Sequence, residues 1–101
     1  DGICDIAYIP KKKELGLSKF NRIVDYFSKR PQIQKRLTEQ IYYALQFILD
    51  TDDIAIRIKA THYCVKSRGV KDTNSETITT KVGGTFKESN TARNEFFSSL
   101  N

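Results

Sequence analysis

A chain of 101 residues, 39% hydrophobic and 29% charged, holds one small domain and is not disordered overall. Its net charge of +5 favours anionic partners, no apolar run approaches the ~20 residues of a membrane span, and nothing at its start reads as a signal peptide. Cys4 and Cys64 make no disulfide framework, so a reducing, cytoplasmic setting without a membrane partner is expected.

The stretch "ICDIAYIP" alternates loosely and closes on Pro10, which predicts a strand end. "KKKELG" reads as a charged turn whose lysines face solvent. From Leu17 the period lengthens: Phe20, Ile23, Val24 and Phe27 share one face of a helix, with Ser18 as its N-cap. Pro31 breaks that helix and suits the first turn of the next, where Ile33, Leu37, Ile41, Leu45 and Ile48 form an apolar stripe that "LDTDD" ends.

"IAIRIKATHYCV" then alternates strictly. Ile54, Ile56, Ile58, Ala60, His62 and Cys64 take one face of a strand, and Arg57, Lys59, Thr61 and Tyr63 the other. "RGVKDTNSE" is a turn-rich connection. "TITTKVGGTF" reads as a second strand that pairs with the first as an antiparallel hairpin, with Gly83 and Gly84 marking a bulge or bend. "TARNEFFSSL" predicts a short terminal helix offering Phe96, Phe97 and Leu100 for packing. The order strand, helix, helix, strand, strand, helix is an α+β pattern. An open three-stranded sheet leaves edges that pairing between subunits would cover.

His62 is the single histidine, and the alternation puts it on the same side as Cys64, ~7 Å away by the rise of a strand. Taken alone, a histidine on a strand face is more often structural than catalytic, and this pair lacks the four-ligand spacing of a structural zinc site. Cys4 reads best as a small buried apolar side chain. Cations surround the candidate site: Lys66 and Arg68 follow the strand, while Ser18, Lys19 and Arg22 open the first helix, where free amides and positive charge suit a phosphate. Each of these also has a bland reading, as cap or solvated face. No Walker or dinucleotide glycine motif is present. The aromatics lie on apolar helix faces instead of alternating with cations, so no nucleic-acid partner is expected.

The stretches "AYIP", "GLSKFNRIVDYFSKRPQIQKRLTEQI", "ATHYCVKSRGV" and "GGTFKES", in this order and spacing, resemble the carboxy-terminal catalytic part of GTP cyclohydrolase I. The resemblance covers nearly all of residues 1–101, read as a single domain. It implies a tunnelling fold: an antiparallel sheet with two consecutive helices packed on one face, closing between subunits into a barrel. It further implies a homo-oligomer, a decamer of two pentameric rings with active sites between subunits. The implied reaction is zinc-dependent hydrolysis of GTP to 7,8-dihydroneopterin triphosphate and formate, the entry to folate and pterin synthesis. On the matching positions Cys64 is a zinc ligand and His62 the acid/base group. Ser18, Lys19, Arg22 and Arg68 hold the triphosphate, and Gln34 recognises the guanine edge.

Two positions depart from that pattern. The Cys-Glu-His-His segment that supplies the other zinc ligands would lie just upstream of Asp1, and a chain with no Met reads as a fragment of a longer one. Lys35 stands where the family has a glutamate, offering donors where a purine needs acceptors. These departures support an alternative reading, a catalytically inactive tunnelling-fold scaffold or nucleotide-binding subunit.

Overall fold

The alternation of residues 54–64 folds as the central strand of a three-stranded antiparallel sheet, ordered β1 (Gly2–Tyr8), β2 (Ile54–Cys64), β3 (Thr73–Val82). The computed structural model describes residues 2–64 and 73–100, with the backbone alone for 61–64 and 73–75. The helices are α1 (Leu17–Ser28), α2 (Gln34–Leu49), α3 (Thr85–Glu88) and α4 (Asn90–Ser98). The class is α+β, with the short α3 added to the order expected.

Register explains the core. Tyr8, Ile6 and Cys4 pair with Ile54, Ile56 and Ile58, and the period of two sends all six to one face. There they meet Ile41, Tyr42, Leu45 and Leu49 of α2, with Phe20, Ile23, Val24 and Phe27 of α1 packed against them. The apolar face predicted for α1 is thus the one used. Ala55, one residue out of phase, is fully buried on the opposite face beside Phe86 and Phe96, where α3 and α4 close the sheet.

Several local expectations give way. The N-cap of α1 is Gly16, in extended conformation and without a side-chain cap bond, so Ser18 lies inside the first turn. Pro31 falls in the connection ahead of Ile33, the N-cap of α2, and starts no helix. The buried line of α2 runs through Thr38, Ile41, Tyr42, Leu45 and Leu49, while Ile33 is left 65% exposed. The helix carries apolar side chains around much of its circumference, and the sheet selects the line centred on Ile41 and Leu45.

Strand β3 begins at Thr73, inside the stretch read as a connection, because 73–76 pair with 61–64. It ends at Val82, so the two glycines lie beyond the strand. A Cβ on Gly83 would sit 1.8 Å from Tyr42 Oη, and Gly84 has φ +57°, so both positions need glycine. Among the described residues no helix is long and apolar enough to cross a membrane.

Candidate functional site

The two ends of the sheet differ in what they present. Pairing of β1 with β2 stops at Gly2↔Ala60, whereas β2 and β3 stay paired to Cys64↔Thr73. His62, opposite Ser75, and Cys64 lie where β2 and β3 continue as a pair. They are two apart on one strand, which is the geometry the alternation predicts for the backbone. Arg68 and Lys66 lie outside the described residues.

Below the hairpin lies a groove of about 700 Å³ lined by Gly2, Cys4 and Ile58 from the sheet, Asp25 from α1, and Gln34 and Leu37 from α2. Ala60 and Thr77, at the root of the hairpin, form its upper wall. Gln34 is the first residue of α2. Its Nε2 donates to the carbonyl oxygens of Ile58 at 3.0 Å and Thr77 at 2.9 Å. Gln34 thus bonds to the strand pair that, four residues beyond Ile58, carries the backbone of His62. Lys35, next along, is exposed.

Ser18, Lys19 and Arg22 are exposed on α1. The start of that helix is at the other end of the sheet: the ring of Phe20 rests on Tyr8 at 5.5 Å, and Tyr8 pairs with Ile54. From Ile54 to His62 the strand climbs ~26 Å at ~3.3 Å per residue. Only the later part of α1, around Val24, Asp25 and Ser28, reaches the groove beside the hairpin. Among the described residues the opening of α1 and the backbone of 61–64 do not meet.

Cys4 lines this groove and a second one, of about 600 Å³, between β1 and the start of α1. Burial, and then the charge of Asp5, push its thiol up to about 11, so it stays protonated at neutral pH and is a poor nucleophile or metal ligand there. This agrees with the apolar role read for it. Among the described residues no three His, Cys, Asp or Glu side chains stand close enough together to hold a metal ion. A catalytic zinc takes about three protein ligands. The described part of this chain does not complete such a site.

Two residues in this region carried no signal of function in the sequence reading. Thr38, 2% exposed on α2, and Thr79 on β3 share a hydrogen bond of 2.6 Å directly beneath Gln34. Their signature is a hydroxyl at i+4 from a glutamine on the buried helix face, opposite a period-two threonine on the strand.

All of residues 1–101 match the family model described as GTP cyclohydrolase I. The chain is 61% identical over 98 residues to GTP cyclohydrolase 1 of Tolumonas auensis, covering 97% of this chain and 45% of that protein. It is 56% identical over 101 residues to the proteins of the same name from Mannheimia succiniciproducens and Pasteurella multocida, 46% of each. The chain spans about half the length of the curated relatives it matches.

Proposed function

Because the chain belongs to the GTP cyclohydrolase I family, we propose that it is the catalytic half of a hydrolase that acts on the guanine ring of GTP. The products are 7,8-dihydroneopterin triphosphate and formate, with one water consumed overall. This reaction opens folate and pterin synthesis in the cytoplasm. The observation that supports the reading is that His62 and Cys64 lie two apart on the strand that continues from Ile58 and Ala60, which line the Gln34 groove.

His62 moves protons during ring opening as a general acid and base. Gln34 meets the purine. Ser18, Lys19, Arg22 and Arg68 neutralise the triphosphate by charge-assisted bonds. Zinc is the implied cofactor; when bound, it lowers the pKa of a water for attack on the ring. Cys64 is its one ligand within this chain, and the remaining ligands come from outside these 101 residues.

The ~26 Å along β2 between the Ile54 end and His62 bears on assembly. A triphosphate held by Ser18 and Lys19 and a purine at His62 require groups from more than one copy of the chain. Strands β1 and β3 are the sheet's two edges among the described residues, and pairing them between copies would close the tunnelling-fold barrel. A decamer of two pentameric rings follows the family's pattern. Exposed Lys35 favours the second reading, a subunit that binds nucleotide or supports assembly without turning it over.

The test uses the full-length parent protein supplied with zinc. Formate release and a fluorescent pterin from GTP, with loss of both zinc and product in Cys64→Ser, support the enzyme. Assembly and triphosphate binding without product establish the second reading.

A further inference from the structure

The charge of this chain is unevenly spread. Residues 9–22 hold five of its seventeen cations (Lys11, Lys12, Lys13, Lys19 and Arg22) and one of its twelve acids, Glu14. The remaining residues carry twelve cations and eleven acids, so four of the five net charges sit on this one span. All five cations are exposed, and among the described residues none of them stands in an ion pair. A solvated surface ordinarily intersperses the two signs; this span does not.

The backbone holds the three consecutive lysines beside the start of α1. Their loop is tied at both ends. The Ile9 amide donates to the Asp53 carbonyl oxygen at 3.0 Å, the Leu15 amide to Tyr8 Oη at 3.4 Å, and the Lys19 amide to the Gly16 carbonyl oxygen at 3.0 Å. Lys13 is three residues from Gly16 and Lys12 four, so even a fully extended chain keeps their Cα atoms within ~11 Å and ~14 Å of it. Lys11 is answered in part by Asp53 across the turn, whose carboxyl it helps to hold down. Asp52, beside it, accepts from Gln46 Nε2. Lys12 and Lys13 carry the excess.

We propose that Lys11, Lys12 and Lys13 form a capture loop for the triphosphate tail, steering GTP onto the start of α1, with Lys12 and Lys13 supplying most of the attraction. This inference rests on the proposed role of Ser18, Lys19 and Arg22 in holding that tail. The lysines act through their field and need no fixed contact with the nucleotide. A pair of unit charges ~10 Å apart in water shifts an equilibrium by a factor of ~2 before screening. A tail with several negative charges compounds that factor for each lysine, and salt reduces it. The consequence is selection by charge: the loop favours a triphosphate over a diphosphate at the encounter step, and the preference fades as ionic strength rises.

The test is made in the full-length parent. Lys12→Gln/Lys13→Gln is compared with Lys29→Gln/Arg36→Gln, which removes the same charge from exposed positions past the end of α1 and in the first turn of α2. Twelve residues of helix put Lys29 ~18 Å from Leu17. Stopped-flow association of GTP and of GDP is followed beside steady-state turnover at about 0.1 M and about 1 M salt, where the Debye length is ~10 Å and ~3 Å. At about 0.1 M the loop variant is expected to slow GTP association and lower kcat/KM about fivefold, and to slow GDP about threefold, with kcat within about twofold. At about 1 M it should match the parent, and the control pair should stay within about twofold throughout. An unchanged association rate, a loss that persists at about 1 M salt, or an equal loss in the control pair overturns the capture loop. If the parent makes no pterin, the proposed turnover fails and the association arm alone decides the loop. A parent that does not bind GTP overturns both.

Discussion

The sheet has a closed end and an open end. At Ile54 both faces are covered, and the polar groups between elements are matched. Tyr42 Oη donates to the Asp52 carbonyl at 3.0 Å, Asp53 Oδ1 accepts from the Thr85 amide at 2.7 Å, and the Gly83 amide donates to the Ile54 carbonyl at 3.0 Å. Lys81 Nζ lies over the rings of both Tyr42 and Tyr43. At the other end Ile3 and Ile78 are 60% and 49% exposed on either side of Lys59, and Gln34 with the threonine pair ties α2 to β2 and β3. Gln34 and the backbone of His62 and Cys64 are on the open side, whereas Ser18 and Lys19 start a helix at the closed end. The contrast is one of packing: one end is covered on both faces, and the other leaves apolar side chains exposed.

The contrast breaks if substitutions at the two ends cost the same. Ile54 is fully buried, and Ile54→Ala should lose about 3–4 kcal/mol in equilibrium unfolding, the sum of lost transfer energy and a cavity. Ile78→Ala, on the same sheet but half exposed, should lose under about 1 kcal/mol. Next in size is Gly83→Ala. The new methyl would overlap Tyr42 Oη at 1.8 Å and approach the Asp52 carbonyl at 2.9 Å, where backbone on one side cannot yield. Overpacking of this kind should cost about 2–3 kcal/mol. Pairing it with Tyr42→Phe, which removes the clashing hydroxyl, should recover part of that loss, and failure to do so would place the strain elsewhere.

How far the sequence disclosed this arrangement varies with the kind of signal. The face of α1 and the alternation of β2 were legible because their large apolar residues recur at the period of each element, and periodicity reports that directly. The start of β3 was not: Thr73, Asn74 and Ser75 resemble a loop in composition, and their pairing with 62–64 is a tertiary fact. The buried line of α2 was blurred by Tyr43 and Phe47, 53% and 87% exposed, which make the helix apolar on its outer side too. At the candidate site, His62, Cys64 and Gln34 could be singled out by residue type and motif. That Gln34 spends its amide protons on the sheet, and that Ser18 and Lys19 open a helix at the far end, could not, since both depend on how elements pack.

Cys4 sharpens the comparison from the open side, because it shows how far the dry core extends beneath the hairpin. Its thiol is held up to about 11 from an ordinary 9.0, chiefly by burial. A group whose folded pKa is raised contributes stability that is complete below the unfolded value and is lost as pH rises through the folded one. Unfolding free energy should therefore decline between about pH 9 and pH 11, by about 2 kcal/mol in all from this residue. Tyr42, raised by burial and then by Asp52, adds in the same direction. Cys4→Ala should flatten the Cys4 share of the decline, leaving that of Tyr42. An alkaline profile identical in the variant would mean that water reaches the sheet face at Ile58.

The smallest effect tests the closed end in acid. Asp53 has its pKa lowered, first by the Thr85 amide that donates to its carboxylate and then by smaller contributions including Thr51 and Lys11. The sign is opposite to that of Cys4. A depressed carboxylate contributes stability that is present above its unfolded pKa and lost as pH falls through the folded value, so the loss should appear below about pH 4. Asp53→Asn keeps an oxygen that can accept the Thr85 bond but removes the charge. It should cost about 1 kcal/mol at neutral pH and nothing further in acid, because both proteins are then uncharged at this position. Asp53→Ala also releases the turn into α3, and should cost more than Asn at every pH. If the two variants are equal, the hydrogen bond to Thr85 contributes nothing beyond charge.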